Sequence, residues 1–315
     1  MKSAMVVALA AGVALTVGIL AEEQGDRIAV KPPFGQHADK GRSPGGIPQI
    51  VWNGGPVLNQ KTVPLYVVYY GSGFPGTTQD IVNKFLGGLG GTPQFNVNGT
   101  YCPFQTTDCT GHSPITGSLS FDESTNIFVD AGASQGTSIN SGGVAKILQY
   151  ALAISTPKHL PPPDDGAMYI VITAPNIKAP GFCTSFCAYH TRSTTIVSGH
   201  VIHYAFVPEP TSKCTACDGN FALHETATPT GDAGADEMVD SIMHELSETA
   251  TDPDLNAWLT SNGAENGDLC DYNYGTPLGH TGNGATYNAT WNGYYYLIQL
   301  IWKNGPVPQG CAAKP

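Results

Sequence analysis

Apolar and polar residues follow one another in blocks that predict strands interleaved with helices. A continuous apolar, β-branched and aromatic run at 63–70 predicts a strand buried on both faces. After it, apolar residues three and four apart predict a helix from Thr78 to Leu89, capped by Thr77. Further runs predict strands at 126–130, 167–173, 201–207 and 294–302, and a helix marked by Val144, Ile147, Leu148, Ala151 and Ile154. This order predicts an α/β fold: a central, mostly parallel or mixed sheet flanked by helices, in one domain.

A late helix before Pro253 has two dissimilar faces. At 100° per residue, the apolar residues share one side: Val239, Ile242, Met243, Leu246 and Ala250. Asp240, His244 and Glu248 follow one another on the other side, with Glu245 beside them. Two interpretations stay open, because a row of acids opposite an apolar stripe is equally typical of a solvated helix surface.

The alternative to a solvated face is a metal site. His244, Glu245 and Glu248 form the pattern HExxE, in which Glu248 stands where a zincin-type hydrolase helix has its second histidine. Glutamate is an acceptable zinc ligand. We therefore predict a zincin-like zinc site with His244 and Glu248 as ligands, and Glu245 as the general base that takes a proton from water. A third ligand is expected from Glu265 or Asp268. Oxygen-rich ligation leaves calcium open as the metal.

The N-terminal residues and the charge predict where the protein works. Residues 1–21 combine a charged start, a short apolar core and a small residue at the end, which predicts a secretory signal peptide. Residues 22–48 are predicted to be a flexible lead-in, and 49–315 the globular domain. No later segment is apolar and long enough for a membrane. Loss of Lys2 with the signal takes the formal net charge from −11 to −12, and no basic cluster remains for nucleic acid or anionic membranes. We expect an extracellular protein.

An even number of cysteines agrees with an oxidising compartment. Their grouping predicts four local bridges, namely Cys102–Cys109, Cys183–Cys187, Cys214–Cys217 and Cys270–Cys311. A redox pair at 214–217 and a zinc site in the middle four cysteines are minority alternatives. Asn98 and Asn288 begin N-glycosylation sequons, which matter only in a eukaryotic source.

The remaining candidate residues are interpreted as structural. His200 and His203 lie three apart on a predicted strand and so point to opposite faces. His190, next to cysteines, and His224, in a loop, are predicted to be surface histidines. Several aromatic residues near the C-terminus could form a platform for sugar rings, but we favour a strand whose alternate aromatics fill the core; they are Trp291, Tyr294, Tyr295, Tyr296 and Trp302.

Several segments resemble the Exordium/phosphate-induced protein 1 family. The similar segments are 53–58 (NGGPVL) with 63–71 (VPLYVVYYG), the cysteine loop 181–190 (GFCTSFCAYH), and 214–217 with 231–238 (GDAGADEM). They occur in the family's order between about Asn53 and Cys311. The resemblance implies a secreted protein, and plant members of the family are linked to the cell wall, growth and nutrient status. It implies no defined biochemical activity.

The late helix departs from the plant pattern, which lacks the His244–Glu245 pair, and is similar to microbial relatives. Two functions follow as hypotheses. One is a metal-dependent hydrolase, most plausibly a peptidase acting on peptides. The other is a non-catalytic extracellular module for the cell wall, signalling or cell-wall polysaccharide, in which the His244 helix is scaffold. Neither hypothesis names a substrate or an oligomeric state.

Overall fold

A seven-stranded mixed sheet organises the domain in the computed structural model, which describes residues 27–35, 50–104, 109–210, 214–305 and 309–315. The strands of this sheet are β1 Ala29–Lys31, β3 Val63–Tyr70, β4 Leu119–Ser120, β5 Ile127–Asp130, β6 Met168–Thr173, β7 Ala188–Ser193 and β8 Ile202–Pro208. The strand order is β1-β7-β8-β6-β3-β4, and β5 pairs with the later part of β3. Strands β3, β4, β5, β6 and β8 run parallel, whereas β7 is antiparallel to both β8 and β1.

Helices cover both faces of the sheet. They are α1 Thr78–Leu89, α2 Ser141–Leu152, α3 Gly219–Ala222 and α4 Ala233–Thr251, with 3₁₀ turns at Phe95–Thr100, Thr215–Cys217 and Asp268–Cys270. Because neighbouring strand residues point to opposite faces, Leu65, Val67 and Tyr69 pack with α1 and α4, whereas Val68 and Tyr70 pack with α2. The α/β class and the mixed central sheet predicted from the sequence are therefore confirmed.

Four two-stranded sheets lie outside the central one. Their strands are β2 Val51–Trp52 with β9 Trp258–Leu259, β10 Gly279–His280 with β11 Thr286–Tyr287, β12 Ala289–Trp291 with β13 Tyr294–Tyr296, and β14 Ile301–Lys303 with β15 Gly310–Ala312. The predicted strand 294–302 is wrong, since it is divided between β13 and β14. Between them, the backbone N–H of Gln299 donates to Asp240 Oδ1 (2.6 Å) instead of joining a ladder.

Two further expectations about local structure are corrected. Part of the predicted flexible lead-in is ordered, because Ala29–Lys31 form edge strand β1 against β7. Ile154, one of the residues that mark the predicted second helix, lies beyond that helix, which ends at Leu152, and is 87 % exposed. The predicted signal peptide, residues 1–21, lies outside the described residues. Along the described chain, no helix combines the length and hydropathy needed to span a bilayer.

All eight cysteines are paired, but two of the four predicted bridges are wrong. Cys102–Cys109 and Cys270–Cys311 form as predicted. The middle four cysteines instead form two parallel cross-links, Cys183–Cys214 and Cys187–Cys217. The reason is that the loop before β7 lies beside the turn at 215–217, with Cα–Cα distances of 5.6 and 5.5 Å across the two bridges. Neither a redox pair at 214–217 nor a thiolate zinc site fits this pairing.

Candidate metal centre

Helix α4 supplies three of the candidate side chains. Its N-cap is Asp232, whose side chain accepts from the backbone N–H of Ala235 at 3.1 Å. His244 and Glu248 lie one turn apart, with His244 Nε2 3.0 Å from Glu248 Oε1, and Glu245 projects beside them. Every residue from Gly234 to Thr251 is buried. The solvated-face interpretation of this helix is therefore wrong: residues of β1, β7 and the C-terminal segments contact its polar side.

His190 completes the polar side from strand β7. Its Nδ1 lies 3.2 Å from Glu245 Oε2 and 3.4 Å from Glu248 Oε2, and the whole side chain is inaccessible to solvent. The prediction that His190 is a surface histidine is wrong. Strand β7 is not predicted from the sequence because its residues, AYHTRS, are mostly polar. The β-branched and aromatic residues on either side of His190 are the signal that could have revealed the strand.

The loop after α4 carries two candidate carboxylates: Glu265 lies in the cluster, and Asp268 forms hydrogen bonds within the loop. Glu265 Oε1 lies 3.6 Å from His190 Nε2, and Glu265 is 1 % exposed. Asp268 instead accepts the backbone N–H of Glu265 on its Oδ2 (3.2 Å), while its own backbone N–H donates to Glu248 Oε1 (3.0 Å). Of the two residues expected to approach His244 and Glu248, Glu265 lies among the candidate donors and Asp268 orders the loop.

Five side chains thus form two overlapping donor groups. One is His190, Glu248 and Glu265, the other His244, Glu245 and Glu248; within each, one ligand atom per residue lies within 4.8 Å of the others. Among the described residues, one buried atom of each of the five makes no hydrogen bond: His190 Nε2, His244 Nε2, Glu245 Oε1, Glu248 Oε2 and Glu265 Oε1. Four of these atoms, all except Glu245 Oε1, instead form ion-pair contacts of 3.0–3.6 Å within the cluster. Buried polar atoms that lack a hydrogen bond are rare, and a buried polar group left unsatisfied costs about 1–3 kcal/mol.

The backbone of Gly267 passes directly over this cluster. A Cβ at this position would lie 2.8 Å from Glu248 Oε1 and 3.1 Å from His244 Nδ1. Only a residue without a side chain lets the loop approach so closely. Gly267 therefore lets the loop at 263–270 pack directly against His244 and Glu248.

The close charges shift the pKa values of these groups strongly. Burial opposes the charged form of His244, but Glu248 and Glu245 outweigh it and raise the pKa of His244 to about 10. The pKa of His190 is raised well above its ordinary value in the same way, by Glu265, Glu245 and Glu248. Burial likewise opposes ionisation of Glu248, yet the two imidazoles lower its pKa. Burial raises the pKa of Glu245 and of Glu265. A metal ion would compete with protons for the imidazole nitrogens.

A cavity of about 110 Å³ borders the cluster at Glu265. Its lining combines edge strand β1 and the residues before it with the loop that carries Glu265 and Asp268; the full lining is Arg27, Ile28, Ala29, Val30, Leu255, Leu259, Gly263, Glu265 and Asp268. No other described strand pairs with the outer edge of β1. The cavity therefore joins a free strand edge to a candidate donor.

Three other candidate histidines lie apart from the cluster. His200 Nδ1 contacts Asp165 Oδ1 at 2.7 Å in an exposed pair, and His203 Nε2 contacts Asp254 Oδ1 at 3.0 Å. His224 adopts a positive φ of 61° outside the helices and strands. Each of the three therefore has a structural role or a surface position, in agreement with the interpretation that these histidines are not metal ligands.

The sugar platform and the sequons do not fit the structure. Trp291 and Tyr296 pack against Phe85 in the core, with ring centroids 5.3 and 5.2 Å away. Asn98 is fully buried and donates to Ser247 Oγ (3.3 Å). Asn288 is also buried, and its amide donates to two backbone carbonyls. Neither asparagine offers its amide nitrogen to a glycosylating enzyme in the folded protein.

Comparisons with known proteins agree on one family. Residues 50–313 match the model of the phosphate-induced protein 1 conserved region. The chain is similar to Protein EXORDIUM-like 3 of Arabidopsis thaliana, at 30 % identity over 79 % of each chain. It is also similar to Protein EXORDIUM-like 5 of the same plant, at 27 % identity over 79 % of this chain and 73 % of the relative. Protein PHOSPHATE-INDUCED 1 of Nicotiana tabacum matches at 29 % identity over 43 % of this chain and 51 % of the relative. No solved structure matches the chain significantly.

Proposed function

The chain belongs to the phosphate-induced protein 1 family, and on this basis we propose that it is an extracellular member that binds one divalent transition-metal ion. The ligands are His190, His244, Glu248 and Glu265. The observation that carries the proposal is the set of five buried side chains, converging from β7, α4 and the 263–270 loop, that each have one atom without a hydrogen bond. Metal coordination would satisfy such atoms and offset their burial.

Zinc fits these donors better than calcium. Two imidazoles suit zinc and its transition-metal neighbours, whereas calcium takes oxygen ligands almost exclusively. The four disulfides agree with an oxidising, extracellular setting. The pKa of His244, near 10 without metal, implies that zinc binding releases protons.

The catalytic form of the proposal is a metal-dependent peptidase. A bound zinc ion would act as a Lewis acid at the substrate carbonyl. Glu245 would accept a proton from water, and His190, 3.2 Å from Glu245 Oε2, would hold that carboxylate in place. The cavity beside Glu265 has the free edge of β1 as a wall, which suits an extended peptide that adds a strand to the sheet.

A second function is favoured by the burial of the site. All five side chains are at most 1 % exposed, and structural zinc sites are closed whereas catalytic sites keep a position open. The alternative is therefore a non-catalytic extracellular module whose metal braces α4 against β7. Both forms share the metal and differ in turnover.

One experiment separates these possibilities. We expect about one zinc per chain in protein purified without added metal, and in the control His200→Ala, which alters only an exposed pair. His244→Ala should lose most of the zinc. Glu245→Gln should keep zinc but lose hydrolysis of a mixed peptide library, because an amide cannot accept the proton. Equal zinc in wild type and His244→Ala would refute the metal site, and zinc without hydrolysis in wild type would favour the module.

A further inference from the structure

Lys31 is fully buried although it lies on an edge strand and precedes the family-matched region, residues 50–313. Its side chain is 0 % exposed. Its Nζ donates to Asp240 Oδ2 at 2.5 Å, lies 3.8 Å from Asp271 Oδ1, and stands 5.1 Å from the ring centroid of Tyr272. Burial opposes its charge, but the two aspartates outweigh this effect and raise the pKa of Lys31. A buried cation of this kind is costly unless it is paired.

The same ammonium fixes the orientation of the Gln299 amide. Lys31 Nζ donates to Gln299 Oε1 at 3.1 Å, and Gln299 Nε2 donates to the carbonyls of Gly267 (2.9 Å) and Leu300 (3.4 Å). If the amide were flipped, its NH₂ group would face the ammonium and its oxygen would face two carbonyls. Only one orientation therefore satisfies both ends.

This orientation determines the tautomer of His244. Gln299 Oε1 lies 3.0 Å from His244 Nδ1 and can only accept, so Nδ1 must carry the hydrogen. A neutral His244 then has its lone pair on Nε2, the atom that faces Glu248 and makes no hydrogen bond in the described residues. Metal-binding histidines are commonly held in this way, by an acceptor at the ring nitrogen that does not bind the metal.

We propose that Lys31 and Gln299 are positioning residues of the metal centre: Lys31 locks the Gln299 amide, and Gln299 holds His244 with Nε2 directed at the metal. The inference rests on the proposed metal site. Strand β1, which lies before the family-matched region, then contributes to that site through Lys31. A purely structural role for Lys31 would affect folding but not the tautomer or the zinc affinity of the folded protein.

The test compares zinc affinity and stability in matched variants. We expect Gln299→Met and Lys31→Met to weaken zinc binding about 10–100-fold, the range typical for loss of such supporting contacts. Gln299→Glu keeps an acceptor for both Lys31 and His244 but turns its second oxygen toward the carbonyls of Gly267 and Leu300, so its zinc affinity should lie between those of wild type and Gln299→Met. Lys84→Met removes an exposed lysine that pairs with Glu123 and is the charge control. Zinc affinity is measured by competition with a chromophoric chelator, and the thermal midpoint of each metal-free protein is recorded beside it.

A second measurement covers variants that fail to fold. Nitrogen-15 histidine NMR of the zinc-loaded wild type should show His244 protonated on Nδ1 and coordinated through Nε2. The opposite tautomer, or wild-type zinc affinity in a folded Gln299→Met, would overturn the inference. Absence of zinc binding in wild type would instead refute the proposed function, so the two failures are distinguishable.

Discussion

Helices α2 and α4 pack on opposite faces of the same sheet, but they bury different chemistry. Helix α2 turns one apolar stripe inward, formed by Val144, Ile147, Leu148 and Ala151, and leaves much of its other side in water. Helix α4 is buried on all sides, together with five carboxylates and His244. The first arrangement gains free energy from the apolar area removed from water. The second must in addition offset the cost of desolvating charges, so the stability of α4 depends on partners for its polar side as well as on its apolar face.

The largest expected effect comes from removing the carboxylate shared by both donor groups. Glu248→Ala leaves His190 and His244 without their common partner, and we expect the free energy of unfolding to fall by about 3–5 kcal/mol. Urea unfolding measures the loss, and the zinc content should fall with it.

A core variant of α2 is the matched comparison for Glu248→Ala. Leu148→Ala removes a fully buried apolar side chain and should cost about 2–5 kcal/mol. Its zinc content should stay at the wild-type level, and a chelator should lower the stability of Leu148→Ala as much as that of wild type. A Glu248→Ala protein that unfolds within about 0.5 kcal/mol of wild type would contradict the contrast between the helices.

A smaller effect is expected at the glycine above the cluster. Gly267→Ala places a methyl group 2.8 Å from Glu248 Oε1, and such overpacking typically costs about 1–3 kcal/mol. Gly76→Ala is the control, because a Cβ at that position meets nothing within 4 Å. Thermal unfolding of both variants, with and without zinc, measures the effect. Equal midpoints for the two variants would show that the loop does not press on the cluster as described.

The smallest expected effect is the change of zinc affinity with pH. The pKa of His244 is raised to about 10, so without zinc its imidazole is protonated at neutral pH. The stability from this charge pairing is fully present below pH 6.5 and is lost as the pH rises through about 10. Zinc requires the neutral imidazole, so its apparent affinity should rise with pH, about tenfold per unit for each displaced proton. Chelator competition at pH 6, 7 and 8 tests this sign, and a flat profile would contradict it.

The contrast between α2 and α4 also explains what the sequence could predict. Local patterns predict α1 at Thr78–Leu89 and β3 at Val63–Tyr70 correctly, because a helix with one buried face leaves a periodic pattern and a strand buried on both faces leaves a continuous apolar run. They place His244, Glu245 and Glu248 on one side of a helix, but they cannot tell whether water or protein covers that side. This depends on contacts between residues far apart in the sequence.

His190, Lys31 and Gln299 were missed for the same reason. His190 meets Glu245 across 55 residues, and Lys31 meets Gln299 across 268. His190 and Lys31 lie in segments with no regular apolar pattern, and Gln299 lies inside the run 294–302 that predicts a single strand. The crossed pairing of the middle four cysteines depends in the same way on two loops that meet only in the folded chain.

Two disulfides hold the segments that carry candidate ligands from distant parts of the chain. Cys187–Cys217 ties down the strand that carries His190, and Cys270–Cys311 ties down the end of the loop that carries Glu265. Contacts between distant residues form slowly, because loop closure must precede them. The candidate ligands can therefore meet only after the chain has been synthesised at least as far as Glu265 and these segments have folded together. A metal ion would then bind only once these long-range contacts have formed.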